Sequence, residues 1–327
     1  GNLPPCPIAV DSVVKAALGK PHAAGYANAC GIPEARQAIA NHHSYPEHQI
    51  GPEHVVVANG CSGALELALT ALLDNDTFVL VPQPGFPLYQ VIAESHGAAV
   101  LHYRLKADRN WECDLEHLEE LVAKHAGKVR GIVVNNPSNP TGAVFSEPHL
   151  AQILEFASHN RLPVVADEVY GDLTFGSNTF DPLARVAARM GREVPIITAS
   201  GLAKQYLLPG WRVGWITFHD NVHGSLREVE LGANRLAQVI LGASHLAQTA
   251  IPTLLTSSVT VKEWRSDLRE TLGRQAAFLC DRLSSCKGLR VIAPQGAMYA
   301  MVEIDCNVLN LKDDMEFSSK LLKEENV

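Results

Sequence analysis

Short apolar, β-branched runs recur along much of the chain, and most are followed by longer stretches with helical spacing. Val55-Val-Val-Ala58 leads into Gly63–Leu73. Phe78-Val-Leu-Val81 precedes a Pro/Gly turn and a helix-like run from Leu88 to His96. Gly131-Ile-Val-Val134 precedes a second turn and helical Glu147–Ser158, and Pro163-Val-Val-Ala166 follows. Pro195-Ile-Ile-Thr198 and Val213–Phe218 are further buried-strand patterns. The strands are continuously apolar rather than alternating, which predicts an α/β domain whose mostly parallel sheet is sandwiched by helices on both faces. Ligands of such sheets bind beyond the carboxyl ends of the strands.

The C-terminal third changes character. Gly232–Thr256 and Val261–Ser285 have the spacing of long helices. Gly288-Leu-Arg-Val-Ile292 and Met298–Ile304 look like a pair of strands around Pro294-Gln-Gly-Ala297. A second, smaller α+β domain is expected there. The chain stops in a charged helical stretch, KLLKEENV, with no strand after it, so that domain is expected to be C-terminally incomplete.

The 327 residues suffice for a large core and two domains. No run approaches the ~20 apolar residues that span a bilayer. The N-terminus has neither the basic nor the apolar region of a signal peptide, and it begins abruptly, as if residues precede it. A formal charge of −8 disfavours nucleic acid, whose phosphates need clustered Lys and Arg. Seven scattered cysteines without a C-x-x-C motif fit reduced thiols in a cytoplasmic compartment, with the mitochondrion left open. No metal is expected, since the fourteen histidines include no H-E-x-x-H.

Four strand-end clusters carry the candidate chemistry. In Val57-Ala-Asn-Gly-Cys-Ser-Gly-Ala64 a glycine turn opens a helix, and Gly60, Cys61 and Ser62 offer N–H groups and a hydroxyl to an anion. A capped turn reads equally well, and Gly60-Cys-Ser-Gly-Ala64 is also near the G-x-S-x-G elbow of serine hydrolases, with Ala replacing the last glycine. Asn135-Asn-Pro-Ser-Asn-Pro-Thr-Gly142 is a rigid turn that presents the Asn139 amide. Val165-Ala-Asp-Glu-Val-Tyr170 places Asp167 and Tyr170 at a strand end, where a buried carboxylate calls for a cation or, alternatively, Asp167 caps a helix. In Gly201-Leu-Ala-Lys-Gln-Tyr-Leu-Leu-Pro-Gly-Trp-Arg-Val-Gly214, a desolvated Lys204 near Arg212 should lose proton affinity and become a nucleophile. Jointly these are the parts that hold pyridoxal phosphate: a phosphate seat, a partner for the ring nitrogen, contacts to the ring hydroxyl and an amine.

The lysine segment, the Asn-Pro-Ser-Asn-Pro turn, Ala-Asp-Glu-Val-Tyr-Gly and Pro84-Gly-Phe-Pro-Leu-Tyr89 resemble, in order and spacing, the class I (fold-type I) pyridoxal-phosphate aminotransferases, most closely the tyrosine-type branch. The resemblance implies pyridoxal 5′-phosphate as cofactor and Lys204 as the Schiff-base lysine that shuttles a proton. Asp167 would pair with the ring nitrogen, while Tyr170 and Asn139 would meet the ring hydroxyl. Arg212, Gly60, Cys61 and Ser62 would hold the phosphate, and Phe86 would stack on the ring. Tyr26 would reach the neighbouring site of a homodimer. It implies ping-pong transfer from tyrosine or a related amino acid to a 2-oxo acid. A C–S lyase on the same scaffold and a non-catalytic protein of the same fold are the alternatives. The division implied is 1–37 as N-terminal segment and part of the small domain, 38–235 as cofactor domain and 236–327 as small domain. Two departures stand out. Gly201 replaces the serine many relatives use as a phosphate ligand, and the arginine that binds the substrate carboxylate is expected beyond the last residue.

Overall fold

The computed structural model describes residues 3–220, 224–256 and 258–326. Gly1, Asn2 and Val327, at the ends of the expected N-terminal and small-domain segments, lie outside them. The strands are β1 (Val55–Asn59), β2 (Phe78–Gln83), β3 (Ala99–Lys106), β4 (Glu112–Cys113), β5 (Val129–Asn135), β6 (Val164–Asp167), β7 (Ile196–Gly201) and β8 (Val213–His219). They form one sheet in the order β1-β8-β7-β6-β5-β2-β3-β4. From β7 through β6, β5 and β2 to β3 every pairing is parallel, whereas β8 runs antiparallel to both β7 and β1. A separate pair, β9 (Leu289–Ile292) and β10 (Met301–Ile304), is antiparallel.

Alternation along each strand divides the core. Val79, Val81, Val133, Val165, Ile197, Ala199 and Ile216 face one side, packing against α1 (Gly60–Leu72), α2 (Leu88–Ser95) and α3 (Arg227–Ile240). Leu80, Ile132, Val134, Val164, Ala166 and Ile196 face the other, beneath helices Glu147–His159 and Leu183–Met190. Burying both faces is what the continuous apolar runs predict.

Two expectations need correction. Gly232–Thr256 is not one helix: α3 stops at Ile240, and short helices His245–Gln248 and Ile251–Leu255 follow. The break falls at Leu241 and Gly242, both left-handed (φ 63° and 77°), a conformation that no helix continues through. The second strand of the small pair begins at Met301 rather than Met298, leaving Met298 and Tyr299 in the loop before it. No helix among the described residues is long and apolar enough to cross a membrane.

Candidate active site

Asp167 ends β6 at the centre of the sheet and is buried. Its side chain points to the α1 face. Tyr89 Oη donates to Asp167 Oδ2 at 2.6 Å, Val169 N–H to Oδ1 at 3.2 Å, and the Cys61 thiol approaches Oδ1 at 3.8 Å. Burial raises the proton affinity of the carboxyl, and these three donors oppose the rise. Glu168 points to the opposite face, where it accepts from Leu183 N–H at 2.8 Å and burial pushes it up to about 8. Adjacent acids thus sit in separate compartments, because successive strand residues face opposite ways.

The Asn-Pro loop is tied to the same strand end. Asn135 Nδ2 donates to Asp167 O at 3.1 Å, while Asn135 Oδ1 accepts from Asn139 N–H at 2.6 Å. Asn136 N–H also donates to Asp167 O, at 3.1 Å. One carbonyl therefore fixes where Asn139 stands.

Lys204 lies in a four-residue helical turn, Leu202–Gln205, directly after β7. It is half-buried, and its Nζ lies 5.8 Å from the Tyr170 ring centre. Among the described residues it makes no ion pair. The next residue anchors the turn from behind: Gln205 Nε2 donates to Glu168 O at 3.3 Å and to Ser200 Oγ at 3.2 Å. Ser200 is thereby committed to the face away from Asp167 and cannot stand in for the serine missing at 201. A side chain at Gly201 would find no room either, since a Cβ there would lie 2.7 Å from Val213 O and 2.8 Å from Gly214 Cα.

β8 crosses under the N-terminus of α1. At Gly214 a Cβ would run into the backbone of Gly60 and Cys61, so only glycine allows the crossing. Gly214→Ala should therefore lower stability by roughly 1–3 kcal/mol, the usual cost of overpacking, seen as a reduced midpoint of thermal unfolding.

Asn59 does not cap the start of α1 with its side chain, so the first N–H groups of the helix are available to an anion, and Ser62 is exposed beside them. Arg212, itself left-handed at φ 52°, lays its guanidinium over Gly60, where a Cβ would collide with it. Arg212 Nη2 donates to Asn59 O and Nη1 to Pro209 O, each at 3.2 Å, and among the described residues it pairs with no carboxylate. A cation, free helical N–H groups and a hydroxyl make a seat for a dianion. No histidine hydrogen-bonds Ser62 among the described residues, so the hydrolase elbow lacks its base.

Phe86 is 36% exposed and meets Tyr89 edge-on at 5.9 Å. Tyr26 is 92% exposed and outside the cluster. Two residues given no role from sequence belong to the site. Tyr89 grips Asp167 from 78 positions away, and the Tyr299 and Tyr170 hydroxyls lie 2.7 Å apart. Tyr89 stood within a quoted motif; nothing local marked Tyr299.

The family model for aminotransferase class I and II matches residues 2–327. The chain belongs to that family. It is 42% identical to tyrosine aminotransferase of Dictyostelium discoideum over 93% of this chain and 72% of that protein. Human tyrosine aminotransferase is 38% identical over 100% of the chain and 70% of the human protein. The crystal structure of tyrosine aminotransferase from Leishmania infantum superposes with a TM-score of 0.91 at 31% identity, covering 100% of this chain and 79% of that one. The protein is accordingly an aminotransferase, tyrosine aminotransferase-like in sequence, and its cofactor is pyridoxal 5′-phosphate. The residues present fit that group, with a dianion seat at one end of the cluster and, at the other, a buried acid that pairs with no cation among the described residues.

Proposed function

We propose that this aminotransferase moves the amino group of tyrosine or a related amino acid (other aromatics, with methionine and alanine as further donors) to a 2-oxo acid such as pyruvate or 2-oxoglutarate, in two successive half-reactions. One observation carries the reading: Lys204, Tyr170 and Asp167 converge at a single sheet end beside the seat made by Arg212 and the start of α1. Bound pyridoxal phosphate supplies an aldehyde that takes the amino group and a ring that withdraws electrons.

The chain's residues do the rest. Lys204 Nζ would hold the cofactor by its aldehyde and, as a free amine, would carry the proton from the substrate α-carbon. Asp167, set by Tyr89, keeps the ring nitrogen protonated. Tyr170 and Asn139 hydrogen-bond the ring oxygen. Arg212, Ser62 and the Gly60 and Cys61 amides hold the phosphate, and Phe86 covers the ring. Tyr26, projecting 92% exposed, reaches the phosphate of a second copy in a homodimer. A division into 1–37, 38–235 and 236–327 and a cytoplasmic setting complete the reading.

The test is a single half-reaction. Holoenzyme given tyrosine alone should release one equivalent of 4-hydroxyphenylpyruvate per site and stop, with 2-oxoglutarate restoring turnover. Continuous release of ammonia and pyruvate from a cysteine conjugate, without an acceptor, would establish the lyase instead.

A further inference from the structure

The loop between β9 and β10 is fastened to both loops that carry the ring-oxygen contacts. Gln295 and Gly296 N–H groups donate to Gly142 O at 2.8 and 2.9 Å, and Val144 N–H donates to Gln295 Oε1 at 3.0 Å. On the other side Phe175 N–H donates to Gln295 O and Ala297 N–H to Leu173 O, both at 2.8 Å. Tyr299 thus reaches the site from a loop held on two sides. Its ring meets that of Tyr170 edge-on with centres 5.6 Å apart, and the two hydroxyl oxygens are 2.7 Å apart. Either oxygen can be the donor, so the geometry leaves the direction of the bond to whatever third group Tyr170 meets.

Each phenol has one proton to give and can accept as well. If Tyr299 donates, Tyr170 Oη accepts and its own proton is free to turn toward a further acceptor. Hydrogen-bond chains of this kind strengthen one another. Burial pushes the Tyr170 phenol up, so Tyr170 keeps its proton and can act as a donor. The other groups facing it are Asp167, Cys61 and Lys204 Nζ.

We propose that Tyr299 is a positioning residue for transamination: it donates to Tyr170 Oη and so aims the Tyr170 proton at the cofactor's ring oxygen. The proposal deepens the functional reading above and rests on its placement of Tyr170 against that oxygen. Donation to the ring oxygen favours the form in which it bears full negative charge, the form left after proton loss. Removing the donor should delay that loss.

The experiment is a spectrophotometric pH titration of the holoenzyme's visible band for wild type, Tyr170→Phe, Tyr299→Phe and the double variant, with unfolding midpoints recorded alongside. Tyr299→Phe should raise the titration midpoint by about 0.4–1 unit, the equivalent of one hydrogen bond. Tyr170→Phe should raise it further, and the double variant should match Tyr170→Phe alone, because Tyr299 acts only through Tyr170. A purely structural role would lower the unfolding midpoint while leaving the titration in place. If Tyr170→Phe shifts the band and Tyr299→Phe does not, the proposal fails and the functional reading stands. If Tyr170→Phe shifts nothing, the reading beneath it fails too.

Discussion

Lys204→Ala is expected to lower turnover by roughly 10⁴-fold, the upper range for loss of a proton-transfer group, and to abolish cofactor trapping by borohydride. The lysine occupies a short turn whose neighbours are committed elsewhere: Gln205 to Ser200 and Glu168, and Ser200 to the opposite face. Ser62→Ala provides the contrast. Its hydroxyl is one of several donors at an exposed helix start, and losing one hydrogen bond to a charged group should weaken cofactor binding by roughly 10–100-fold, without abolishing turnover at saturating cofactor. Steady-state assays with a cofactor titration for both variants check the ranking; a serine hydrolase would invert it.

The second large effect is expected at Asp167. Asp167→Asn keeps the volume of the side chain and leaves Tyr89 Oη an acceptor, but removes the charge that opposes a ring cation. Turnover should fall by roughly 10³-fold, on the scale of losing one preorganised electrostatic contact, with the unfolding midpoint little changed. Burial already raises the proton affinity of this carboxyl, and the Tyr89, Val169 and Cys61 donors work against that rise. Tyr89→Phe should therefore cost far less than Asp167→Asn, about tenfold, because two of the three donors remain. Comparing kcat for the two variants at saturating cofactor decides it; equal losses would mean that Tyr89 does more than orient the acid.

Much of this was readable from residue order because the sheet does the assembling. Asp167, Lys204 and the Asn135–Gly142 turn each directly follow an apolar run, and adjacent parallel strands bring those ends together: Asn135 pairs with Asp167, and Asp167 with Ala199. Strand alternation likewise explains why Ser200 cannot replace a serine at 201. What residue order could not supply are contacts made by packing between distant segments. Tyr89 reaches Asp167 because α2 lies across the sheet, and Tyr299 reaches Tyr170, 129 positions away, through a loop joined mostly by backbone bonds. The interruption at Leu241 and Gly242 was equally hidden, since the apolar spacing continues through it while the backbone turns left-handed. The glycines at 201 and 214 are explained only by the close approach of β7, β8 and α1, a three-body constraint with no local signature.

Lys204 is expected to be the residue joined to the cofactor. Reducing the holoenzyme with borohydride, digesting it and locating the added pyridoxyl mass by peptide sequencing tests that claim at a single atom. The mass is expected on Lys204 alone. Its appearance on another lysine, or on none while the visible band is nonetheless lost, would contradict it.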